Sequence, residues 1–219
     1  MKPLGKIEIK WSPNFAYAIG LLVSDGSLSK DKRHIIFTSK EREQIDNFQK
    51  SLGTCYLVSK IASGRSEDSG EKRYLRIQMG DVLFYKFLLS IGLMPNKTKI
   101  IKSINVPDEY FFDFLRGHFD GDGSFYSFWD KRWRSSFMFY TVFASASKEH
   151  IEWLRGQIFK FLKVGGSIYK SRDRVCYQLK YAKGDSKKII DRMYYSDNLI
   201  CLSRKRLKIN KALSIMSKL

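Results

Sequence analysis

The sequence predicts an α+β fold made of two similar halves, each an antiparallel sheet backed by helices. Hydrophobic residues make up 43% of the 219 residues, and there are only 15 glycines and 4 prolines. This composition excludes disordered and collagen-like chains. A formal net charge of +18 indicates a polyanionic partner, nucleic acid first and an anionic membrane surface second.

An internal repeat is the strongest evidence for two halves. Three blocks of the first half recur in the second at similar offsets of 97, 106 and 104 residues, and extra residues at 129–136 account for the change in offset. The pairs are AIGLLVSDG (18–26) with LRGHFDGDG (115–123), IFTSKEREQIDNF (36–48) with VFASASKEHIEWL (142–154), and LRIQMGD (75–81) with LKYAKGD (179–185).

The first half contains the patterns of seven elements in the order αββαββα. Ser12 and Pro13 are suited to begin a helix, which stops before Gly26. Thr38 and Glu41 have capping-box spacing for a second helix. The predicted ranges are a helix at 12–24, strands at 27–29 and 33–39, a helix ending at 52, strands near 54–61 and 73–79, and a helix at 81–92.

The second half repeats this order from residue 107 to about 198. The sequence therefore predicts a first half at 1–92, a linker at 93–106, and a second half at 107–219 that ends in a basic helix. In each half the helices are expected to cover one face of the sheet.

Small residues recur along one face of both motif helices. Ala16, Gly20 and Ser24 are four apart, as are Gly117 and Gly121, and residues at that spacing share a helix face. A glycine within a helix costs about 1 kcal/mol relative to alanine, yet both motifs contain one at the same position. The pattern predicts two helices packed nearly backbone to backbone. The alternative is two ordinary helices that each tolerate a glycine.

Asp25 and Asp122 lie at the predicted C-terminal ends of these helices. A helix C-terminus carries a partial negative charge that disfavours a carboxylate, and parallel packing of the helices would also bring the two carboxylates together. A divalent metal with oxygen ligands compensates both effects. The alternative is a pair of solvated aspartates in Asp-Gly turns.

The two motifs resemble those of LAGLIDADG homing endonucleases in their single-chain, two-motif form. The resemblance implies a monomeric, site-specific endonuclease that hydrolyses both strands of DNA at a long asymmetric target and leaves 3′ overhangs. It implies that Asp25 and Asp122 are catalytic and bind Mg²⁺, and that a basic residue of each half, Lys97 and Lys205, completes the site. Lys99 is an equally reasonable neighbour of Lys97.

Alternating polar residues on the strands predict a DNA-binding surface. Leu75, Ile77 and Met79 would face the core, whereas the alternate positions would face the DNA. Arg and Gln can read guanine and adenine in the major groove, where a β-ribbon fits; the alternative is a solvated sheet face. Aligning Leu75 with Leu179 matches Tyr74 to Gln178. The candidates are Arg33, Lys60, Tyr74, Arg76, Gln78, Arg172, Arg174, Gln178 and Lys180, and Ser39 and Ser145 are candidates to line the site through water.

Two other functions use the same fold: an intron RNA maturase and a non-catalytic DNA-binding regulator. Both acids are present, which argues against a pure maturase and against a regulator. Three isolated cysteines, no CxxC and no metal-ligand spacing of histidines indicate a reducing, intracellular compartment without zinc. No signal peptide or membrane span is expected, and without a protein-splicing signature the gene is expected to be intron-borne or free-standing.

Overall fold

The computed structural model describes residues 5–62, 74–132, 136–171 and 175–218, and they form two four-stranded antiparallel sheets with helices packed against them. The predicted α+β fold of two αββαββα halves is confirmed. The first half contains α1 (Pro13–Asp25), β1 (Gly26–Leu28), β2 (His34–Ser39), α2 (Arg42–Leu52), β3 (Val58–Ile61), β4 (Tyr74–Gly80) and α3 (Val82–Ser90). The second contains α4 (Phe111–Asp122), β5 (Ser124–Trp129), β6 (Phe137–Ser145), α5 (Lys148–Leu162), β7 (Ser167–Lys170), β8 (Tyr177–Ala182), α6 (Lys183–Met193) and, beyond the repeat, α7 (Ser203–Met216).

The two sheets have the same topology. Their strand orders are β1-β2-β4-β3 and β5-β6-β8-β7. Helices α2 and α3 contact the first sheet, while α5 and α6 contact the second. Each sheet buries alternate side chains against its helices, such as Ile77 and Met79 in β4 and Leu179 and Tyr181 in β8. The opposite face of each sheet carries the more exposed side chains, as is common for antiparallel sheets.

Helices α1 and α4 cross at the centre of the molecule with their backbones in contact. A Cβ atom on Gly20 would overlap the carbonyl oxygen of Phe114, and one on Gly117 would overlap that of Tyr17. A Cβ atom on Gly121 would overlap the hydroxyl of Ser24. The predicted close packing of the two small-residue faces is therefore confirmed.

The strand register corrects the alignment of the two halves. Phe37 of β2 lies opposite Ile77, whereas Phe143, its counterpart in β6, lies opposite Leu179. Leu179 therefore corresponds to Ile77 rather than to Leu75. The alignment slipped by two residues, which preserves the face of every side chain because strand side chains alternate with a period of two.

The register also gives new partners on the open faces. Gln178 corresponds to Arg76 and not to Tyr74, and Lys180 corresponds to Gln78. The two halves therefore still differ on their open faces. Arg76 of the first half is replaced by Gln178 in the second, and Gln78 is replaced by Lys180.

The start of α1 follows the prediction, but that of α2 does not. The Ser12 hydroxyl accepts a hydrogen bond from the Phe15 amide, which caps α1. The capping box of Thr38 and Glu41 is wrong, because Glu41 itself occupies the N-cap position and makes no capping bond with its side chain. Its amide instead donates to the Ser39 hydroxyl over 3.0 Å.

The predicted linker packs into the core. Leu93, Ile101 and Ile104 are buried, and a 3₁₀ turn at Lys97–Lys99 brings one lysine inward. The domain boundaries at 92 and 107 stay a prediction. Among the described residues, no helix is long and apolar enough to cross a membrane.

Substitution of Gly117 by Ala should destabilise the protein. The new methyl group would strike the backbone of α1, and such overpacking outweighs the helix-propensity gain, so we expect a net loss of about 2 kcal/mol or more. Thermal melting should show this as a fall in Tm of about 4–8 °C for a chain of this size.

Gly156→Ala is the matched control. Gly156 lies within α5, and a Cβ atom there meets nothing within 4 Å, so this change should stabilise the protein by about 1 kcal/mol. Equal melting temperatures for Gly117→Ala and the wild-type protein would contradict the close packing of α1 and α4.

Candidate functional site

Asp25 and Asp122 are the last residues of α1 and α4. The following residues, Gly26 and Gly123, have nearly identical extended conformations and lead directly into the first strand of each sheet. Asp25 lies against the last turn of α4, because a Cβ atom on Gly121 would be only 2.9 Å from its Oδ2 atom. The two carboxylates thus meet where the two sheets begin.

The two carboxylates resist ionisation. Burial and then repulsion from Asp122 raise the pKa of Asp25 to about 6. Burial also raises the pKa of Asp122, although Lys97 and Lys205 oppose the increase. Asp122 is the more exposed of the two residues, so it is the carboxylate that solvent and ligands reach more easily. A shared cation would offset both the burial and the repulsion that raise the pKa of Asp25.

Gln44 is a site residue that the sequence did not reveal. It is buried in α2, and its side-chain amide donates to Asp25 Oδ2 over 2.8 Å. The Ser39 hydroxyl in turn donates to Gln44 Oε1 over 2.5 Å. Ser39 therefore acts on Asp25 through Gln44, whereas the water-mediated role that we expected of Ser39 and Ser145 stays a prediction.

Both predicted lysines lie at the ends of the motif helices. The Lys97 ammonium group donates to the Ser24 carbonyl over 3.2 Å, and burial lowers its pKa although both aspartates oppose this. Lys97 is 7% exposed, whereas Lys99 is exposed to solvent. The structure therefore favours Lys97 over its neighbour as the basic residue of the first half.

Lys205 caps the C-terminal end of α4 with its side chain. Its ammonium group donates to the carbonyls of Phe119, Asp120 and Gly123 over 2.5, 2.9 and 2.7 Å. Burial lowers the pKa of Lys205 to about 8 even though Asp120 opposes the change. A cation is favourable at a helix C-terminus, and this one is held in place by three hydrogen bonds.

A buried acid, Asp120, ties the segment before α7 to the motif helices. Its Oδ2 atom accepts hydrogen bonds from the Tyr17 hydroxyl over 2.8 Å and from the Leu202 amide over 2.7 Å. Arg116 adds a bond to the Ile200 carbonyl over 3.0 Å. These contacts join α1, α4 and residues 200–202, and so they fix the start of the helix that carries Lys205.

Helix α2 of the first half holds the same segment from the other side. Arg204 pairs with Glu41, and the Ser203 amide donates to Glu43 over 2.9 Å. The Asn47 side chain donates to the Cys201 carbonyl over 2.9 Å. Both halves therefore position the beginning of α7.

The predicted DNA-binding residues fall into different places. Arg76 and Gln78 share the open face of the first sheet and are hydrogen-bonded over 2.6 Å, and Tyr74 on that face holds Lys40 over its ring. Gln178 and Lys180 share the open face of the second sheet. Arg33 is exposed in the β1–β2 turn. Lys60 is exposed on β3, but it lies opposite Leu75 and therefore on the helix-covered face of the first sheet. Arg172 and Arg174 lie outside the described residues.

The donor set of the site suits a hard divalent cation. Within the described residues, no group of three or more His, Cys, Asp or Glu side chains could hold a metal, so the protein offers the two carboxylates of Asp25 and Asp122. Mg²⁺ is commonly bound by one or two carboxylates together with water and substrate phosphates.

Comparison with known proteins identifies the fold. Residues 12–92 match the LAGLIDADG-like domain family, and no curated protein matches the chain. The N-terminal LAGLIDADG domain of DUF199/WhiA is 18% identical, with 94% of this chain and 90% of that one covered and a TM-score of 0.54. The meganuclease I-SmaMI bound to uncleavable DNA is 15% identical, with coverages of 95% and 91% and a TM-score of 0.58.

A third structure, of mesophilic variants of the homing endonuclease I-DmoI, is 14% identical, with coverages of 84% and 96% and a TM-score of 0.53. The resemblance drawn from the two motifs is confirmed. Residues 12–92 match the LAGLIDADG-like domain family, and the chain as a whole has the fold that homing endonucleases and WhiA share.

Asp25→Asn should stabilise the metal-free protein at high pH. The pKa of Asp25 is about 6 in the folded protein against an ordinary 3.8, so the folded state retains a proton that the unfolded chain loses. Stability therefore falls as pH rises from about 4 to 6. The difference of about two pKa units corresponds to about 3 kcal/mol, so Asn should raise Tm by about 6–12 °C at pH 8.

The difference should vanish near pH 4, where the carboxyl is protonated in both states. Thermal melts in the presence of a chelator at pH 4 and pH 8 measure it. A gain in Tm that is the same at both pH values would show that Asp25 does not titrate as described.

Lys205→Met should destabilise the protein, because three carbonyls at the end of α4 lose their buried donor. The expected cost is about 1–3 kcal/mol in the free energy of unfolding, measured by denaturant titration. Lys208→Met, at an exposed position one turn later, is the control and should change stability by less than about 0.5 kcal/mol. Equal effects of the two substitutions would rule out a structural role for Lys205.

Proposed function

We propose that this protein is a monomeric, site-specific endonuclease that hydrolyses both strands of duplex DNA with divalent metal ions. The observation that carries the proposal is the meeting of Asp25 and Asp122 at the ends of two helices in backbone contact. A carboxylate from each half, close enough for one to raise the pKa of the other, is the arrangement that a cation-binding site needs.

The two carboxylates would hold the metal, with Mg²⁺ as the proposed ion. A bound divalent cation lowers the pKa of water and neutralises charge on phosphate oxygens. Asp25 contributes a carboxylate whose Oδ2 atom is oriented by Gln44, which makes Gln44 a positioning residue. Asp122 is the more accessible acid, so it is the carboxylate that a phosphate would reach more easily.

Lys97 and Lys205 would add fixed positive charge near the scissile phosphates. Lys205 is held by three carbonyls, so its ammonium group needs little rearrangement before reaction, and preorganised charge of this kind stabilises a transition state. Burial lowers the pKa of both lysines, but nearby aspartates oppose this and favour the charged form.

The open faces of the two sheets would bind the DNA on either side of the site. Each sheet starts at one of the two aspartates, so a duplex lying across both faces passes over the carboxylates. A net charge of +18 favours binding to phosphates. I-SmaMI, which shares the fold with a TM-score of 0.58, has been solved bound to its uncleaved DNA target in the presence of calcium ions, which supports duplex DNA as the ligand.

Asp25→Asn and Asp122→Asn should each abolish or severely reduce cleavage while leaving DNA affinity intact or improved. Asn keeps the size of Asp but loses the charge that a hard cation requires, and it removes a negative charge near the phosphates. Cleavage with Mg²⁺ and binding with Ca²⁺ should be measured side by side on duplexes selected from a random pool.

Asp191→Asn is the matched control, because Asp191 lies on α6 in an exposed pair with Lys187. It should cut at the wild-type rate. An unchanged rate for either motif variant would remove that residue from the site. A wild-type protein that never cuts its tightest-binding duplex would support a DNA-binding regulator, and tighter binding to intron RNA would support a maturase.

A further inference from the structure

The open face of the second sheet is aromatic where that of the first is polar. The register places Tyr126, Tyr140 and Tyr169 at the positions that Ser29, His34 and Ser59 occupy in the first half. Phe128 extends the aromatic surface along β5. Tyr126, Phe128 and Tyr169 are 39%, 43% and 55% exposed. So much exposed ring surface on one sheet face indicates a binding function.

The rings of this aromatic cluster, defined as Tyr126, Phe128 and Tyr140, cover one another. The centroid of Tyr140 lies 5.3 Å from that of Tyr126 and 6.0 Å from that of Phe128, with interplanar angles of 24° and 14°. On the side of the neighbouring strand β8, the Lys180 ammonium group lies 4.0 Å from the Tyr140 centroid. Tyr140 is therefore enclosed by rings from β5 and by the lysine from β8.

This geometry decides which nucleic-acid groups the cluster can accept. An unpaired base stacks on the free face of an aromatic ring, but the faces of the central ring are already taken. The ring edges remain, and exposed Phe128 makes part of that surface apolar beside the two tyrosine hydroxyl groups. In the major groove of a duplex, the C5-methyl group of thymine is the apolar group that base edges present.

Basic side chains of α7 lie beside the cluster at the β5 edge of the sheet. Lys208 and Lys211 line a hollow of about 260 Å³ together with Phe125, Tyr126 and Ser127. An apolar centre with lysines at its rim is complementary to base edges flanked by phosphates, since phosphate contacts position a duplex and groove contacts give sequence specificity.

We propose that the second half recognises a thymine-rich half-site through contacts between thymine methyl groups and the aromatic cluster. The first half has Arg76 and Gln78, which are side chains that hydrogen-bond to guanine and adenine edges. One half-site would therefore be recognised by hydrogen bonds and the other by apolar contacts. This inference rests on the proposed binding of duplex DNA, and it specifies which class of target the enzyme selects.

The test replaces thymine by uracil, which removes only the methyl group. Duplexes are first selected from a random pool by binding to the wild-type protein with Ca²⁺, and deoxyuridine is then introduced into one half-site at a time. Burial of a methyl group corresponds to about a fourfold change in affinity. We expect the Kd to rise about fourfold per uracil in one half-site and to stay unchanged in the other.

Two substitutions in the aromatic cluster test whether its rings cause the loss of affinity for uracil. Tyr126→Ser and Tyr140→His install the residues of the first half, and the double variant should bind thymine and uracil half-sites equally. A melting curve checks that this variant is folded, and the uracil experiment on the wild-type protein does not depend on it. Retained discrimination in the folded variant would overturn the assignment to these rings.

The outcomes separate this inference from the proposed function. Cleavage of selected duplexes without any loss of affinity on uracil substitution overturns the inference and leaves the endonuclease intact. A uracil effect without cleavage supports the inference and contradicts the endonuclease. Tighter binding to single strands than to any duplex overturns the inference in favour of base stacking.

Discussion

The backbone contact between α1 and α4 is the constraint on which the rest of the structure depends. Gly20 and Gly117 allow each helix to approach the carbonyl oxygens of the other. Because both helices end in an aspartate and continue directly into a sheet, this one contact fixes the distance between the carboxylates and the relation between the two sheets. A larger residue at either glycine would move both at once.

The close approach of the two aspartates is electrostatically unfavourable, and nearby lysines offset part of the unfavourable energy. Asp25 and Asp122 are partly removed from water at helix ends that already carry negative charge, and Lys97 and Lys205 oppose the resulting pKa increase at Asp122. Lys205 reaches its place because Asp120 holds the Leu202 amide and Glu41, at the N-cap of α2, holds Arg204. Residues from both halves thus maintain one strongly charged site.

The sequence predicted the elements that depend on local patterns and on the repeat. Because the motif occurs twice, Asp25 and Asp122 could be recognised as partners, and the glycines indicated how their helices would pack. The alignment of Leu75 with Leu179 was wrong by two residues, since alternation with a period of two cannot detect such a slip. Only the hydrogen-bonded register, with Ile77 and Leu179 at equivalent positions, corrects it.

Residues whose role depends on long-range contacts were missed. Gln44 aligns with His150 in the repeat, and because these side chains differ in chemistry the comparison gave no signal. The bond from Tyr17 to Asp120 and the bond from Asp120 to residue 202 join positions 103 and 82 residues apart, which no local pattern encodes. The difference between an aromatic second sheet and a polar first sheet became clear only when the strand register paired the residues of the two open faces.

A double-mutant cycle on Asp25 and Asp122 tests the central claim, that the two helices bring these carboxylates into direct electrostatic contact. The free energies of unfolding of the wild type, Asp25→Asn, Asp122→Asn and the double variant are measured at pH 8 and low salt without divalent metal. If the carboxylates repel each other, the double variant should gain less stability than the sum of the single gains, by about 0.5–3 kcal/mol. This coupling should shrink as salt is added. Strictly additive effects at low salt would show that the two carboxylates are not in electrostatic contact.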